Sequence, residues 1–524
     1  MKPLLLLGFV LALFSGQYNA QIDQIDVSHY KIDITVSDDS DTIKVLETIR
    51  FQHIDPSEPI LFNLASVQKD GKGMVVQELL LNQTKAHFLH RNDSLKIDWR
   101  KEESNHTFEL IILFKGIPID GLVIGQNKYG SRTFFGDNWP TRAQNWFACN
   151  DHLSDKATVD FMVTAPKKYD VVANGSLLSV IKEKHTKTHH YSSSIPLPTK
   201  VMVVGIAEMY SEEAGVINGT TVNSYVYPNN NKKAAYDLAL APSILAFYID
   251  YIAPYEFEKL DNVQSTTRFG GMENAGCIFY DENALKGSRS SENLIAHEIV
   301  HQWFGNSATE KDWSHLWLSE GFATYLTNVY IEQTKGTEAF QTQLRKDRIR
   351  VLAFEKKYKH PVIDTSYTSL MNLLNPNSYQ KGAWVLHMLR TEIGDSLFHL
   401  SIQKYYQTYR LSNANSKDFQ KIVENICRRD LNWFFEQWLY NAGHPKLKIT
   451  SKIDGQILTL KITQQTSLFS FPLKVAIEFE SGTMINEVIN ISKKNTLLEF
   501  YREHESIKSF ELDPKVQLLF EVLD

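Results

Sequence analysis

Residues 292–322 read ENLIAHEIVHQWFGNSATEKDWSHLWLSEGF, and within them His297, Glu298 and His301 spell H-E-x-x-H. On a helix, residues four apart stand one turn apart on one face, so both imidazoles project together and can grip a single metal ion. The pattern suits zinc, which takes about four ligands in a tetrahedron and at a catalytic site leaves one position to water. A third protein ligand is then required. Glu320, separated from His301 by eighteen residues, is a carboxylate of the right chemistry. His297, His301 and Glu320 together make a His2Glu set for one zinc ion per chain.

The surroundings favour a metal over an ordinary polar helix. Leu294, Ile295, Ile299, Val300, Trp303 and Phe304 flank the motif, which marks the helix as buried. Buried histidines and a buried carboxylate are costly without partners, and a metal between them removes that cost. Trp313, Leu316, Trp317 and Leu318 describe a second buried helix that carries Glu320. Glu298 lies between the histidines in sequence and does not point with them, which leaves it to act on water as a general base.

The stretch around Glu320, the zinc spacing and two further segments resemble a known family. H-E-x-x-H, eighteen residues and a Glu inside WLSEGFA is similar to the signature of the gluzincin aminopeptidases of the M1 type, relatives of aminopeptidase N and leukotriene A4 hydrolase. Gly270-Gly271-Met272-Glu273-Asn274 resembles the family's G-x-M-E-N motif, and Tyr379-Gln380-Lys381-Gly382-Ala383 resembles its Y-x-K-G-A segment. The resemblance implies removal of single residues from the amino ends of peptides. Glu273 then pairs with the substrate's free α-ammonium, and Tyr379 donates a hydrogen bond to the tetrahedral oxyanion, a task a neutral phenol suits. Gly270 and Gly271 let the backbone approach the substrate as a strand would, and Met272 helps to form the side-chain pocket.

A peptide lacking a free amino end would leave the Glu273 charge buried and unpaired, at a cost of a few kcal/mol, so selection for the N-terminal residue follows. The family also places a Gln or Glu from the N-terminal domain against the ammonium. Within Phe135–Asp151, Asp137 and Gln144 are the candidates, and neither is a clean match. Ser319 stands where many relatives have Asn. Two other classes compete: a different zincin, either an endopeptidase or an epoxide hydrolase, and a non-catalytic binding protein on the same scaffold. Glu273 and Tyr379 argue against the endopeptidase, and the intact His297, Glu298, His301 and Glu320 argue against the binding protein.

The rest of the chain organises around this stretch. At 524 residues, 43% apolar and 22% charged, it is long enough for several domains with a large core and is of ordinary globular composition. The net charge of -6 is small for that length and argues against nucleic acid or an anionic membrane as the main partner. Residues 1–20, MKPLLLLGFVLALFSGQYNA, read as a secretory signal peptide too short to span a bilayer. Cleavage after Ala20 and the absence of a second long apolar stretch imply an exported protein, periplasmic or extracellular, without stable membrane insertion. Three cysteines, Cys149, Cys277 and Cys427, exclude a disulfide-dense scaffold and read as buried free thiols, with a Cys149–Cys277 pair as the alternative. Sequons occur at Asn82, Asn92, Asn105, Asn174, Asn218 and Asn490.

The expected fold is multidomain α+β. Period-two segments between about Ile25 and Glu208 predict an antiparallel β domain over 21–208. Helical periodicity from Tyr210 to Pro445 predicts an α-rich, thermolysin-like catalytic domain over 209–445. Alternation returns after Pro445 and predicts a small β-sandwich over 446–524. Many relatives continue into a long helical domain, so the expectation from Asp524 as the last residue is a short form without it.

Overall fold

The computed structural model describes residues 24–55, 57–99, 107–465 and 467–523. The leader reading and the Asn105 sequon lie outside them. By internal packing the chain divides into two compact units, Met1–Pro242 with Glu256–Glu292, and Ser243–Tyr255 with Asn293–Asp524.

The first unit is built on an eight-stranded sheet. In spatial order its strands are Ser176–Lys182, Thr186–Pro198, Lys156–Pro166, Ile25–Thr35, Ile43–His53, Thr107–Ile117, Gly73–Leu81 and Thr84–Lys85. Alternate residues of Lys156–Pro166 are buried, the strict period of two that a half-buried strand imposes. The expectation of an antiparallel sheet fails at one junction, where Ile25–Thr35 runs parallel to Lys156–Pro166. No hairpin joins these two strands; more than a hundred residues separate them, and such a connection permits either direction.

The expectation of helix from Tyr210 also needs correction. Tyr210–Ile217 and Thr220–Val226 form a hairpin, which continues through Lys259–Ser265 and Cys277–Asp281 to the edge strand Gly271–Met272 in a five-stranded sheet. The hairpin turns on Asn218 and Gly219, with φ of 49° and 87°. Two positive φ values suit Asn-Gly, because both residues tolerate the left-handed region. Pro242 splits the apolar stretch that follows into α1 (Asn231–Leu238) and α2 (Ala241–Tyr251). Proline fits a helix's first turn, where its missing N–H leaves no bond unmade, and not its interior.

The second unit holds the helices that carry the signature: α3 (Glu292–Val300), α4 (Trp317–Lys335), α5 (Thr337–Glu355), α6 (Gly382–Ile393), α7 (Asp395–Tyr409), α8 (Ser416–Cys427) and α9 (Asn432–Phe435). Trp313 stands in a separate 3₁₀ turn, Trp313–His315, ahead of α4. Almost every residue of α4 from Trp317 to Ile331 is buried, so this helix forms the unit's core. Phe304, beyond α3, packs on Phe322 of α4 with ring centroids 4.8 Å apart, and Phe322 and Tyr405 each lie 5.1 Å from Phe419 of α8. Removing one such ring costs about 3–5 kcal/mol. Strand Ala308–Glu310, between the two halves of the signature, pairs with Ser412–Ala414 and fixes the connection.

After Pro445 come a four-stranded sheet, ordered Asn495–Tyr501, Ile457–Gln464, Lys446–Asp454, Glu521–Leu523, and a three-stranded sheet, ordered Met484–Ile491, Phe471–Phe479, Ile507–Leu512. The molecule is therefore mixed α and β, with a β-rich N-terminal region followed by a helical one. The three cysteines are free thiols. Among the described residues no helix is long and apolar enough to cross a membrane.

Candidate metal centre

His297 lies in the last turn of α3, and His301 continues that turn, its N–H bonding the His297 carbonyl at 3.3 Å. Glu320 lies in the first turn of α4. The three side chains converge. His297 Nε2 and His301 Nε2 are 3.1 Å apart, and each is 3.3 Å from Glu320 Oε2. Three ligands about 2.0–2.1 Å from a common zinc stand roughly 3.3 Å from one another in a tetrahedron, so this donor set fits the ion. Among the described residues it is the one group of His, Cys, Asp or Glu side chains arranged to hold a metal.

Electrostatics agree with the geometry. Burial would raise the Glu320 carboxyl, but the imidazoles, His301 foremost, hold it well below the usual carboxylate range. Burial lowers His297, and His301 adds to that against the pull of Glu320. A carboxylate and an unprotonated imidazole are the forms that bind zinc, and the shifts of Glu320 and His297 lie in those directions. His301 is fixed from behind, with its Nδ1 3.0 Å from the Phe304 carbonyl and 3.1 Å from Ser319 Oγ. The carbonyl can only accept, which assigns the proton to Nδ1 and leaves Nε2 as ligand. Gly305 makes this contact possible: at φ 121°, a Cβ there would lie 2.4 Å from Ser319 Oγ and 3.1 Å from His301 Nδ1. Sequence reasoning passed over Gly305, although a Gly closing an apolar helical run is a recognisable signal.

Glu298 is buried beside His297 on α3. Tyr379 is partly buried and lies nearly flat against His297, with ring centroids 6.1 Å apart and planes 12° from parallel. It belongs to a π-helical turn, Asn377–Lys381, just before α6. Such turns carry an extra residue and occur frequently at functional sites.

Gly270–Asn274 belong to the first unit. Gly271 and Met272 pair with Tyr280 and Phe279 at the edge of the five-stranded sheet. Glu273 is 5% exposed, which rules out an exposed loop carboxylate. Asp137, one candidate second anchor, is fully buried and ion-paired with Arg142, so its charge is already spent. Gln144 donates its amide to the Thr141 carbonyl at 3.0 Å. The Asn174 sequon is unusable in the folded chain: its side chain is fully buried, donating to the carbonyls of Val201 and Ala275 at 2.8 Å each.

A helix-borne His2Glu centre with a tyrosine against one ligand defines the class of site. Comparison with known proteins supplies the family. The peptidase M1 N-terminal domain matches residues 26–201, and the peptidase family M1 domain matches residues 236–438. The two matches together take in most of the chain, which belongs to peptidase family M1. It is 27% identical to glutamyl aminopeptidase of Rattus norvegicus over 348 residues, covering 63% of this chain and 36% of the relative. It is 29% identical to the Homo sapiens glutamyl aminopeptidase over 330 residues, 60% of this chain and 34% of that one. A probable aminopeptidase 2 of Sulfurisphaera tokodaii is 28% identical over 364 residues, 66% and 46% of the two chains. The match thus spans about a third to a half of the length of these curated relatives.

Proposed function

We propose that this chain is a zinc aminopeptidase that removes N-terminal residues from peptides, with zinc held by His297, His301 and Glu320. The observation that carries the reading is the convergence of three ligand atoms within 3.1–3.3 Å of one another, with the Tyr379 ring against His297. A zinc ion in this place supplies Lewis-acid polarisation of the scissile carbonyl and acidifies water.

The side chains do the rest. Glu298 takes the proton from the attacking water and returns it to the leaving amine. Tyr379 donates its phenol O–H to the oxygen that gains negative charge. Glu273 pairs with the substrate α-ammonium, within a segment, Gly270–Asn274, whose edge strand offers backbone groups to an extended peptide. Residues 1–20 direct export to the periplasm or extracellular space, and the two C-terminal sheets form the layers of a sandwich.

A panel of aminoacyl arylamides with free or acetylated amino groups tests the reading, with wild type and Glu273→Ala compared and zinc measured on the same samples. We expect about one zinc per chain, turnover of free-amine substrates only, and a loss of at least about a hundredfold in kcat/KM on Glu273→Ala. Bound zinc with indifference to acetylation would identify another zincin.

A further inference from the structure

The turn that carries Tyr379 rests on a buried charge network that the proposed chemistry does not use. Lys381 ends the π-helical turn and is fully buried. Its ammonium donates to Glu355 Oε1 at 2.7 Å and to the Gly443 carbonyl at 2.8 Å. The other Glu355 oxygen is bonded to His444 Nδ1, and His444 Nε2 lies 3.3 Å from Glu521 Oε2. Glu521 in turn faces Lys446 at 3.2 Å and Lys356 at 3.4 Å, where the network reaches solvent.

The opposite side of the turn is held as tightly. Gly382 abuts Gly321, the neighbour of Glu320, so closely that a Cβ on either glycine would come within 3.0 Å of the other's backbone. The turn is thus clamped between the helix that carries a zinc ligand and an ammonium with two acceptors. A π turn forgoes the regular i to i+4 ladder, and here the Lys381 N–H reaches back to the Pro376 carbonyl. Its shape therefore depends on what grips it from outside.

We propose that Glu355 and His444 are positioning residues for Tyr379, acting through the buried Lys381 ammonium to fix the π turn so that the phenol stays against His297. The inference rests on the oxyanion role given to Tyr379 above. Removing a well-placed oxyanion donor costs about 10²–10³ in kcat, and misplacing it costs part of that.

The test is a double-mutant cycle of Glu355→Gln and Tyr379→Phe in the zinc-loaded full chain. We expect Glu355→Gln to lower kcat about 10- to 100-fold on a free-amine arylamide, with KM within about twofold and zinc content unchanged, and to lower it less than about threefold once Tyr379 is Phe. Amide hydrogen exchange of Asn377–Lys381 should accelerate at least about tenfold in the variant while that of Glu292–Val300 does not. Equal losses in both backgrounds would overturn the positioning role while leaving that of Tyr379 intact. Full kcat in Tyr379→Phe alone would overturn both. If Glu355→Gln fails to fold, His444→Asn takes its place in the same cycle, with the same outcomes. If the wild type cleaves no arylamide, unchanged exchange at Asn377–Lys381 overturns the inference and selective acceleration there supports it.

Discussion

Two clusters of the second unit are made of nearly the same parts and do different things. Glu320 is buried against His297 and His301; Glu355 is buried against His444, with Glu521 beyond. The second cluster contains its own cation, Lys381, at 2.7 Å from Glu355. Among the described residues no lysine or arginine pairs with Glu320: the cluster points two imidazole nitrogens and a carboxylate oxygen at one spot. A buried carboxylate needs a positive partner, and where the chain supplies one the cluster is closed and structural. Where lone pairs are instead aimed at a common centre, the arrangement suits a cation from outside.

The largest expected effects test this difference directly. His301→Ala or Glu320→Gln should remove most of the bound zinc and lower kcat by at least about a thousandfold, since several kcal/mol of transition-state stabilisation goes with the ion. Chelation should lower the melting temperature of the wild type by removing a ligand of the folded state, worth about 4 kcal/mol at a thousand times Kd. The Lys381 cluster should be indifferent to chelator, and zinc assay together with calorimetry on Glu355→Gln checks it.

Breaking the closed cluster should cost stability. Lys381→Met leaves the Glu355 charge buried beside only His444, and loss of one partner of a buried pair costs about 3–5 kcal/mol. Denaturant unfolding should show that loss and should show at least half of it recovered in Lys381→Met with Glu355→Gln, because the double variant leaves no charge stranded. An undiminished loss in the double variant would show that packing and not charge explains the cluster.

Two buried carboxylates, one in each unit, should also answer pH with opposite signs. Burial would raise Glu355, but His444 and then Lys381 pull it below its ordinary 4.5. Its contribution is complete above pH 4.5 and fades as pH falls through the lower folded value. In the first unit, burial pushes Asp155 up from 3.8 to about 7, against hydrogen bonds from Asn150 and Val27. The neutral acid is the form its site prefers, so its contribution is complete below pH 3.8 and is lost as pH rises to about 7. Asp155→Asn should therefore gain stability relative to wild type as pH rises from about 4 to about 8, on the order of 4 kcal/mol. A flat difference across that range would overturn the assignment.

Much of this was legible in the sequence where one residue type had one physical use. The four-residue spacing of the histidines needed only helix geometry and zinc chemistry, whereas the choice of Glu320 leaned on the resemblance of WLSEGFA to the family signature. The β-rich N-terminal region showed itself through period two, and the parallel junction within it did not, because alternation carries no direction. Asn218-Gly219 held a hairpin signal between alternating segments, yet the helical stretches downstream dominated the reading of that region. α8 opens on a capping pair, Asn415 and Asp418, whose side chains bond each other's backbones. The Lys381 network was out of reach: Glu355, His444 and Glu521 are scattered over 166 residues, and no local pattern says that three such common residues meet.

The smallest expected effect is the most discriminating about how His301 is held. Its Nδ1 has two neighbours that can accept its proton, the Phe304 carbonyl at 3.0 Å and Ser319 Oγ at 3.1 Å. Loss of the sole orienting partner of a zinc-bound imidazole typically weakens metal binding 10- to 100-fold. Here Ser319→Ala removes one of two and leaves the carbonyl, whose position is fixed by the backbone turn through Gly305. Zinc affinity should fall by no more than about tenfold, with the pH dependence of binding unchanged, because the tautomer is still set. Gly305→Ala should weaken binding more, since its Cβ would displace Ser319 and crowd His301 together. If Ser319→Ala proved the weaker binder in competition with a chromophoric chelator, the hydroxyl and not the carbonyl would be what orients the imidazole.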